Sequence, residues 1–386
     1  MKLRVLLTAI AAVMALPAAA QDTVKIGAIL PMSGPFASYG RQMDNGMKLY
    51  MKQHGDVVAG KKIEVLVRDD TGPAPEITKR QAQELIVKDK VNLLAGFGLT
   101  PNGLAVAPLI TEAKMPAVIM NAATSIITAK SPYFVRVSMT LPQVTAPMAT
   151  WALQNGIKKV YVLVSDYGPG YDAEGQFKKT FTAGGGAIVG DVRVPLKSPD
   201  FSAYLQRIKD TNPQAVFLFL PAGEQGVAFM KGFHERGLDK AGIKLIATGD
   251  ISDDSVIDSE GDAALGLITS HHYSDAHKSA LNTAFLKGYA EIDPQMRPSF
   301  MAVAGYDGMA LIYAALNKTG GSTDGDKFMA AVKGMKWESP RGPVMIDPAT
   351  RDIVQNIYIR RVEKVKGHYY NVEFDTFKAV KDPGKQ

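Results

Sequence analysis

From Val24 onward, short and almost wholly apolar runs rich in β-branched residues alternate with longer stretches whose apolar positions recur every three to four residues. Residues 24–30 predict a first strand, 38–53 a helix, 63–67 a strand and 75–88 a helix. Residues 91–95, 101–113 and 117–120 continue as strand, helix and strand. The pattern restarts with a strand over 159–164 and a helix over 172–181. Strands over 187–194, 215–220 and 243–247 follow, with helices over 201–209 and 224–236. After His277 the chain reads as mostly helical to about 333 and closes with β-type segments near 344–346, 353–361 and 368–374. Strands without a polar face, alternating with helices, belong to parallel sheets covered on both sides. Two such series predict two α/β lobes. The closing β segments are too short for a third domain and are expected to pack on one of the two. Ligands of open parallel sheets bind beyond the carboxyl ends of the strands. The loops that follow the strands are therefore the expected lining of a cleft between the lobes.

The N-terminus adds a compartment. Lys2 and Arg4 precede an apolar stretch over 5–16, and Pro17-Ala18-Ala19-Ala20 then leads into Gln21-Asp22. This reads as a secretory signal peptide, residues 1–20, cut after Ala20. About a dozen apolar residues are too few to span a bilayer. The chain has no cysteine, which excludes disulfides, cysteine metal sites, thiol nucleophiles and a lipid-bearing cysteine. A soluble exported protein without that anchor is expected in a periplasm. The formal net charge is +6, and removing the leader with Lys2 and Arg4 lowers it by two. The densest basic runs are the pairs Lys158-Lys159, Lys178-Lys179 and Arg360-Arg361, which is not a phosphate-tracking stripe. No nucleic-acid partner is expected.

Four post-strand loops carry suitable chemistry. Gly96-Phe97-Gly98-Leu99-Thr100-Pro101 opens a helix, whose free N–H groups suit a carboxylate; Thr100 also fits a plain N-cap. Asn121-Ala122-Ala123-Thr124-Ser125 combines small residues, which admit a ligand to the backbone, with the Thr124 hydroxyl. Ser165-Asp166-Tyr167-Gly168-Pro169-Gly170-Tyr171 demands a turn and can hold a tyrosine over the cleft. It lacks the Gly-Lys-Ser/Thr ending of a phosphate loop and the third glycine of a dinucleotide loop, so no nucleotide cofactor is expected. Thr248-Gly249-Asp250-Ile251-Ser252-Asp253-Asp254 offers Asp250 to a cation or hydroxyl, while Asp253 and Asp254 read better as caps of the next helix.

Catalytic patterns are missing. There is no G-x-S-x-G elbow and no H-E-x-x-H pair. His271-His272 with His277 lacks a metal spacing and is expected in a solvated loop. Asp69-Asp70 are neighbours on a strand and point opposite ways, so they do not form a proton-sharing dyad. Neither an enzyme nor a metal protein is expected.

The motifs, taken in order, resemble the periplasmic leucine/isoleucine/valine-binding family. They are Lys25-Ile26-Gly27 through Leu30-Pro31-Met32-Ser33-Gly34-Pro35, Tyr39-Gly40, Arg68-Asp69-Asp70, Asp89-Lys90-Val91 and Gly96. Asp166-Tyr167-Gly168-x-Gly170, Asp200-Phe201-Ser202-Ala203 and Ala304-Gly305-Tyr306-Asp307 follow in the same register, so the similarity runs from about 23 to 374. The resemblance implies a type I periplasmic binding fold: two doubly wound parallel-sheet α/β lobes joined by a three-crossing hinge. The N-terminal lobe would be 22–139 plus 271–338 and the C-terminal lobe 140–270 plus 339–386. It implies a monomer that captures a small carboxylate, such as a branched-chain or related amino acid, and delivers it to the membrane permease of an ABC importer. By the same resemblance Thr100, Ala122 and Thr124 hold the carboxylate, Tyr39 lines the cleft, and Tyr167 comes from the second lobe on closure. Two positions depart from the family. Pro221-Ala222-Gly223 stands where a second tyrosine is expected, and Gly249-Asp250 where a glutamate should meet the ligand's ammonium. These departures admit an aromatic or other organic acid, or a small amide, as the ligand. A ligand sensor on the same fold is the remaining alternative.

Overall fold

The fold was read from a computed structural model, which describes residues 22–197 and 200–385. The expected leader and its cut after Ala20 lie outside the described residues. The first apolar series builds β1 (Thr23–Leu30), β2 (Val57–Val58), β3 (Lys61–Asp69), β4 (Leu93–Gly96), β5 (Ala117–Ile119) and β6 (Phe134–Arg136). They form one six-stranded sheet in the order β2-β3-β1-β4-β5-β6. All neighbours are parallel except the short β2, which runs antiparallel to β3. The register sets Ile26 between Val65 and Leu93, so the central strand is apolar on both faces. That is why it reads as a continuous apolar run.

The second series builds β7 (Lys159–Ser165), β8 (Ala187–Val194), β9 (Ala215–Phe219), β10 (Lys244–Thr248) and β11 (Ile268–His271). They pair in parallel, in the order β11-β10-β9-β7-β8. The C-terminal segments β12 (Lys336–Ser339), β13 (Gly342–Ile346), β14 (Ile353–Val365) and β15 (His368–Val380) extend the same sheet, but antiparallel. The second lobe thus has a nine-stranded sheet, parallel from β11 to β8 and antiparallel where the closing segments join it. The pairing of β15 with β14 follows from their tight connection. Lys366 (φ 51°) and Gly367 (φ 91°) both turn through the left-handed region, and such a two-residue turn can join only antiparallel strands.

The chain leaves the first sheet after β6, returns after β11 to form helices Ala280–Ala290 and Phe300–Lys318, and leaves again before β12. Helix Phe300–Lys318 packs along Ala37–His54 on the first sheet, whereas Leu141–Gln154 packs against Gly168–Ala183 and the second sheet. Two buried arginines stitch the crossings. Arg136 Nε donates to Asp352 Oδ1 at 2.9 Å, its Nη1 to Ala122 O at 2.9 Å and its Nη2 to Thr124 O at 2.8 Å. Arg341 pairs with Asp307 Oδ2 at 2.9 Å and donates to Val137 O. Asp307 also accepts from Trp337 Nε1 (3.0 Å) and Ser339 Oγ (2.8 Å).

His271 and His272 do not stand in a solvated loop. Both are fully buried where the chain recrosses after β11, with ring centroids 4.4 Å apart and both edges against Phe300. They are enclosed because β11 runs between β10 and β14 and Phe300, at the start of its helix, packs against both rings. His277, by contrast, is tied at its Nδ1 to Glu373 at 2.8 Å. Among the described residues no group of three potential ligands could hold a metal ion, and no helix is long and apolar enough to cross a membrane.

Candidate functional site

The first wall of the site begins where β4 ends. Gly96 has φ +103°, and a Cβ there would lie 2.4 Å from the Ile29 carbonyl, so only glycine fits. Phe97 follows at φ +62°, an unusual conformation for a bulky residue that costs on the order of 1 kcal/mol. It is held by a 2.9 Å bond from its N–H to Ile29 O and by the Ala122 N–H on its carbonyl. This turn delivers Gly98, Leu99 and Thr100 into the cleft. Leu99 occupies the N-cap of helix Thr100–Glu112 and makes no side-chain cap. Thr100 is therefore not the cap. Its hydroxyl lies 3.0 Å from the Thr124 hydroxyl, and either group can donate. The loop bearing Thr124 is fixed from behind by Arg136, which holds the Ala122 and Thr124 carbonyls, and by Asn121 Nδ2 donating to Gly98 O at 2.7 Å.

The second lobe closes onto this wall. Tyr39, from helix Ala37–His54, donates its hydroxyl to Ala222 O across the cleft at 3.1 Å. The Ser125 N–H donates to Asp172 Oδ2 at 2.8 Å. A Cβ placed on Gly168 would lie 2.8 Å from Thr124 Oγ1, so glycine at this helix start permits the lobes to meet. Gly168→Ala should hold the lobes apart by that methyl group and weaken ligand binding at least about tenfold, or about 1.4 kcal/mol. Calorimetry measures the loss, and small-angle scattering should show a more open form with ligand present.

Asp250 enters from the loop after β10 and is buried. Its Oδ2 accepts from the Thr248 hydroxyl at 2.9 Å. Burial pushes its carboxyl up to about 7, more than the Thr248 bond and distant Arg360 lower it. The phenols of Tyr39 and Tyr167 are held well above their ordinary range, first by burial and then by neighbours that include Asp250. Both stay neutral, as donors or acceptors of hydrogen bonds.

Four of the six expected residues, Tyr39, Thr100, Tyr167 and Asp250, line one narrow cavity between the lobes, with room for about one water molecule (about 10 Å³) as the lobes stand here. Thr124 sits one hydrogen bond behind Thr100, and Ala122 lies behind it with its carbonyl on Arg136. The remaining wall is largely apolar: Leu99, Met139, Leu141, Pro169, Phe219 and Pro221, with Asn121 as an amide at its edge. The Tyr167 and Phe219 rings are near parallel, 18° apart in plane with centroids 6.1 Å apart. Several of these residues stand in loops that the sequence singles out. Met139 and Leu141 do not, because they follow β6 in a crossing segment without a motif. A wider groove opens at the cleft mouth between Phe36 and Phe201, but it gathers no buried hydroxyl or carboxyl pair.

Asp253 and Asp254 are not helix caps. The helix Ile257–Glu260 has Val256 at its N-cap, without a side-chain bond. Asp253 instead accepts the Ser255 N–H at 2.9 Å, and Asp254 accepts Asn371 Nδ2 at 2.7 Å. Both are buried; Asp254 fastens the Asp250 loop to β15, while Asp253 braces the loop on itself.

Comparison with known proteins gives a consistent picture. A profile of the family described as periplasmic binding protein matches residues 23–367. The Leu/Ile/Val-binding protein homolog 6 of Brucella melitensis is 47% identical over 384 residues, covering 99% of this chain and 98% of that protein. A solute-binding protein of an ABC transporter from Rhodopseudomonas palustris BisB5, solved with 3,4-dihydroxybenzoic acid, superposes with a TM-score of 0.92 at 61% identity. The alignment covers 95% of this chain and 100% of that one. A second such protein, from strain HaA2 and solved with p-hydroxybenzoic acid, gives a TM-score of 0.92 at 49% identity over the same shares.

Proposed function

The chain belongs to the periplasmic binding protein family and is a solute-binding component of an ABC transporter, and on that premise we propose that its ligand is an aromatic carboxylate of the hydroxybenzoate class. One observation carries this reading. The cavity joins a hydroxyl pair on one lobe to a carboxyl that burial raises to about 7 on the other, through an apolar, aromatic wall. The ligand's carboxylate would sit at Thr100, with Thr124, the Ala122 loop and helix N–H groups supporting it, because a buried carboxylate needs several donors. Tyr39 and Tyr167 would flank the ring, and Asp250 would meet its far end. The Rhodopseudomonas proteins bound to hydroxybenzoates, at up to 61% identity, support the same class. The name of the Brucella relative favours a second reading, a branched-chain amino acid. In that case Asp250 would ionise against the ammonium.

On either reading the protein works as an exported monomer. Residues 1–20 would be removed after Ala20, and lobes 22–139 plus 271–338 and 140–270 plus 339–386 would close over the ligand by selection of the closed state. The permease would recognise that closed surface. N-terminal sequencing of protein recovered from the periplasm checks the cut; any start other than Gln21 would refute it.

A thermal-shift panel of hydroxybenzoates, benzoate, leucine, isoleucine and valine tests the ligand class. A ligand at a hundred times its Kd should stabilise the protein by about 2.7 kcal/mol. Shifts with hydroxybenzoates alone support the proposal, and shifts with the aliphatic amino acids alone would replace it with the second reading. Thr100→Ala and Thr124→Ala should each weaken carboxylate binding by about 1–3 kcal/mol, through a donor lost from a buried anion site. Unchanged affinity in both would misplace the carboxylate.

A further inference from the structure

Asp250 is an acid with no obvious duty. It lines the ligand cavity and is only 5% exposed, yet no cation is bonded to its carboxylate among the described residues. Arg360, the cation behind it on β14, directs Nη2 to the Gly249 carbonyl at 3.2 Å and Nε to the Thr269 hydroxyl at 3.1 Å. His271, on β11, brings its Nε2 to 3.8 Å from Asp250 Oδ2, beyond hydrogen-bond reach, and neither of its ring nitrogens has a partner. Asp253 shares the same loop, and the phenols of Tyr39 and Tyr167 approach from their own elements. A buried acid facing an aromatic cavity with so little positive support is a group placed to donate a proton rather than to neutralise one.

Resting on the aromatic-acid reading, we infer that Asp250 is the residue that selects a ring-hydroxylated acid, its carboxyl O–H donating to the oxygen of a ring hydroxyl on the side of the cavity opposite the threonines. The direction of titration agrees. Burial raises Asp250 to about 7, and burial with neighbouring Arg360 and Arg341 holds His271 well below its ordinary range, so that ring stays neutral. A bound benzoate brings a second negative charge and expels water from the cavity. Both effects disfavour the ionised form of Asp250 further, so binding takes up a proton. An amino acid has the opposite sign, because its ammonium stabilises the carboxylate and binding releases a proton. A ring without a hydroxyl leaves the Asp250 proton without an acceptor, which is how the site discriminates.

The sign follows from linkage. A ligand that prefers the protonated acid binds with constant affinity below the pKa of the free protein. Above it, affinity falls by up to tenfold per pH unit until the complex itself titrates. Calorimetric titration of the mature protein with 4-hydroxybenzoate, between about pH 6 and pH 8.5 and in buffers of different ionisation enthalpy, reads both quantities. The expected result is net proton uptake near pH 8, a falling affinity above pH 7, and benzoate binding at least about tenfold weaker. Asp250→Asn cannot titrate and should flatten the profile, so that at pH 8.5 the variant binds 4-hydroxybenzoate about tenfold tighter than the native protein. Proton release, affinity rising with pH, or equal binding of benzoate would overturn the inference while leaving an aromatic ligand in place. Failure of both acids to bind would overturn the aromatic-acid reading and this inference together.

Discussion

Arg136→Met should lower the stability of the protein by about 3–5 kcal/mol and loosen ligand binding beyond that loss. The guanidinium is fully buried and all three of its nitrogens are committed, Nε to Asp352 and the two amino groups to the carbonyls of Ala122 and Thr124. Methionine fills much of the volume but leaves two carbonyls and a carboxylate without their donor. Asp352 keeps bonds from Thr128 and Lys385, which sets the expected loss towards the lower end. The Thr124 carbonyl keeps the Ile127 N–H at 3.3 Å, but the Ala122 carbonyl has no other donor among the described residues. Because they belong to the loop that carries Thr124, the site should loosen before the sheets do. Urea unfolding measures the first effect, and titration of the surviving folded protein the second. A loss below about 1 kcal/mol with unchanged affinity would mean that the loop holds its shape without the arginine.

The other buried pair should be equally sensitive, and its double variant makes the argument sharper. Asp307→Ala removes the only acidic partner of Arg341 among the described residues, whose Nε and Nη1 already have no hydrogen bond. It also strips Trp337 and Ser339 of their acceptor. An uncompensated charge then remains between two hinge crossings, and the expected loss is again about 3–5 kcal/mol. Replacing both members with apolar residues, Asp307→Leu with Arg341→Met, removes the desolvated charge together with its partner. The double variant should therefore recover at least about 1 kcal/mol over Asp307→Ala. A double variant no more stable than the single one would show that the network matters for its hydrogen bonds to Trp337 and Ser339 rather than for the charge.

Much of this architecture is legible in the amino-acid pattern, and the exceptions have physical reasons. Strands buried on both faces leave continuous apolar runs, so β1, β7 and β9 announce themselves. Helix Leu141–Gln154 does not, because Pro142 and Pro147 interrupt its pattern. Pro142 is tolerated in the first turn, where Thr140 caps by accepting the Gln143 N–H, and Pro147 by the burial of the helix on the second sheet. The two-residue β2 and three-residue β6 are too short to carry a period. The direction of β15 against β14 depends on turn geometry at Lys366-Gly367 and not on apolar content. At the site, the loops that follow strands identify Thr100, Tyr167 and Asp250, since the open edge of a parallel sheet is where such residues converge. Met139 and Leu141 come from a crossing segment whose place in the cleft only the closed fold decides. The buried state of His271 and His272 likewise depends on three distant segments meeting, which no local pattern records.

The most direct test of the central claim is a calorimetric titration of the mature protein at pH 7 with 4-hydroxybenzoate and, separately, with leucine. The account predicts saturable one-to-one binding of 4-hydroxybenzoate and no measurable heat of binding with leucine at the same concentrations. Tight binding of leucine with none of 4-hydroxybenzoate would contradict it, and would make the Asp250 carboxylate the partner of an ammonium.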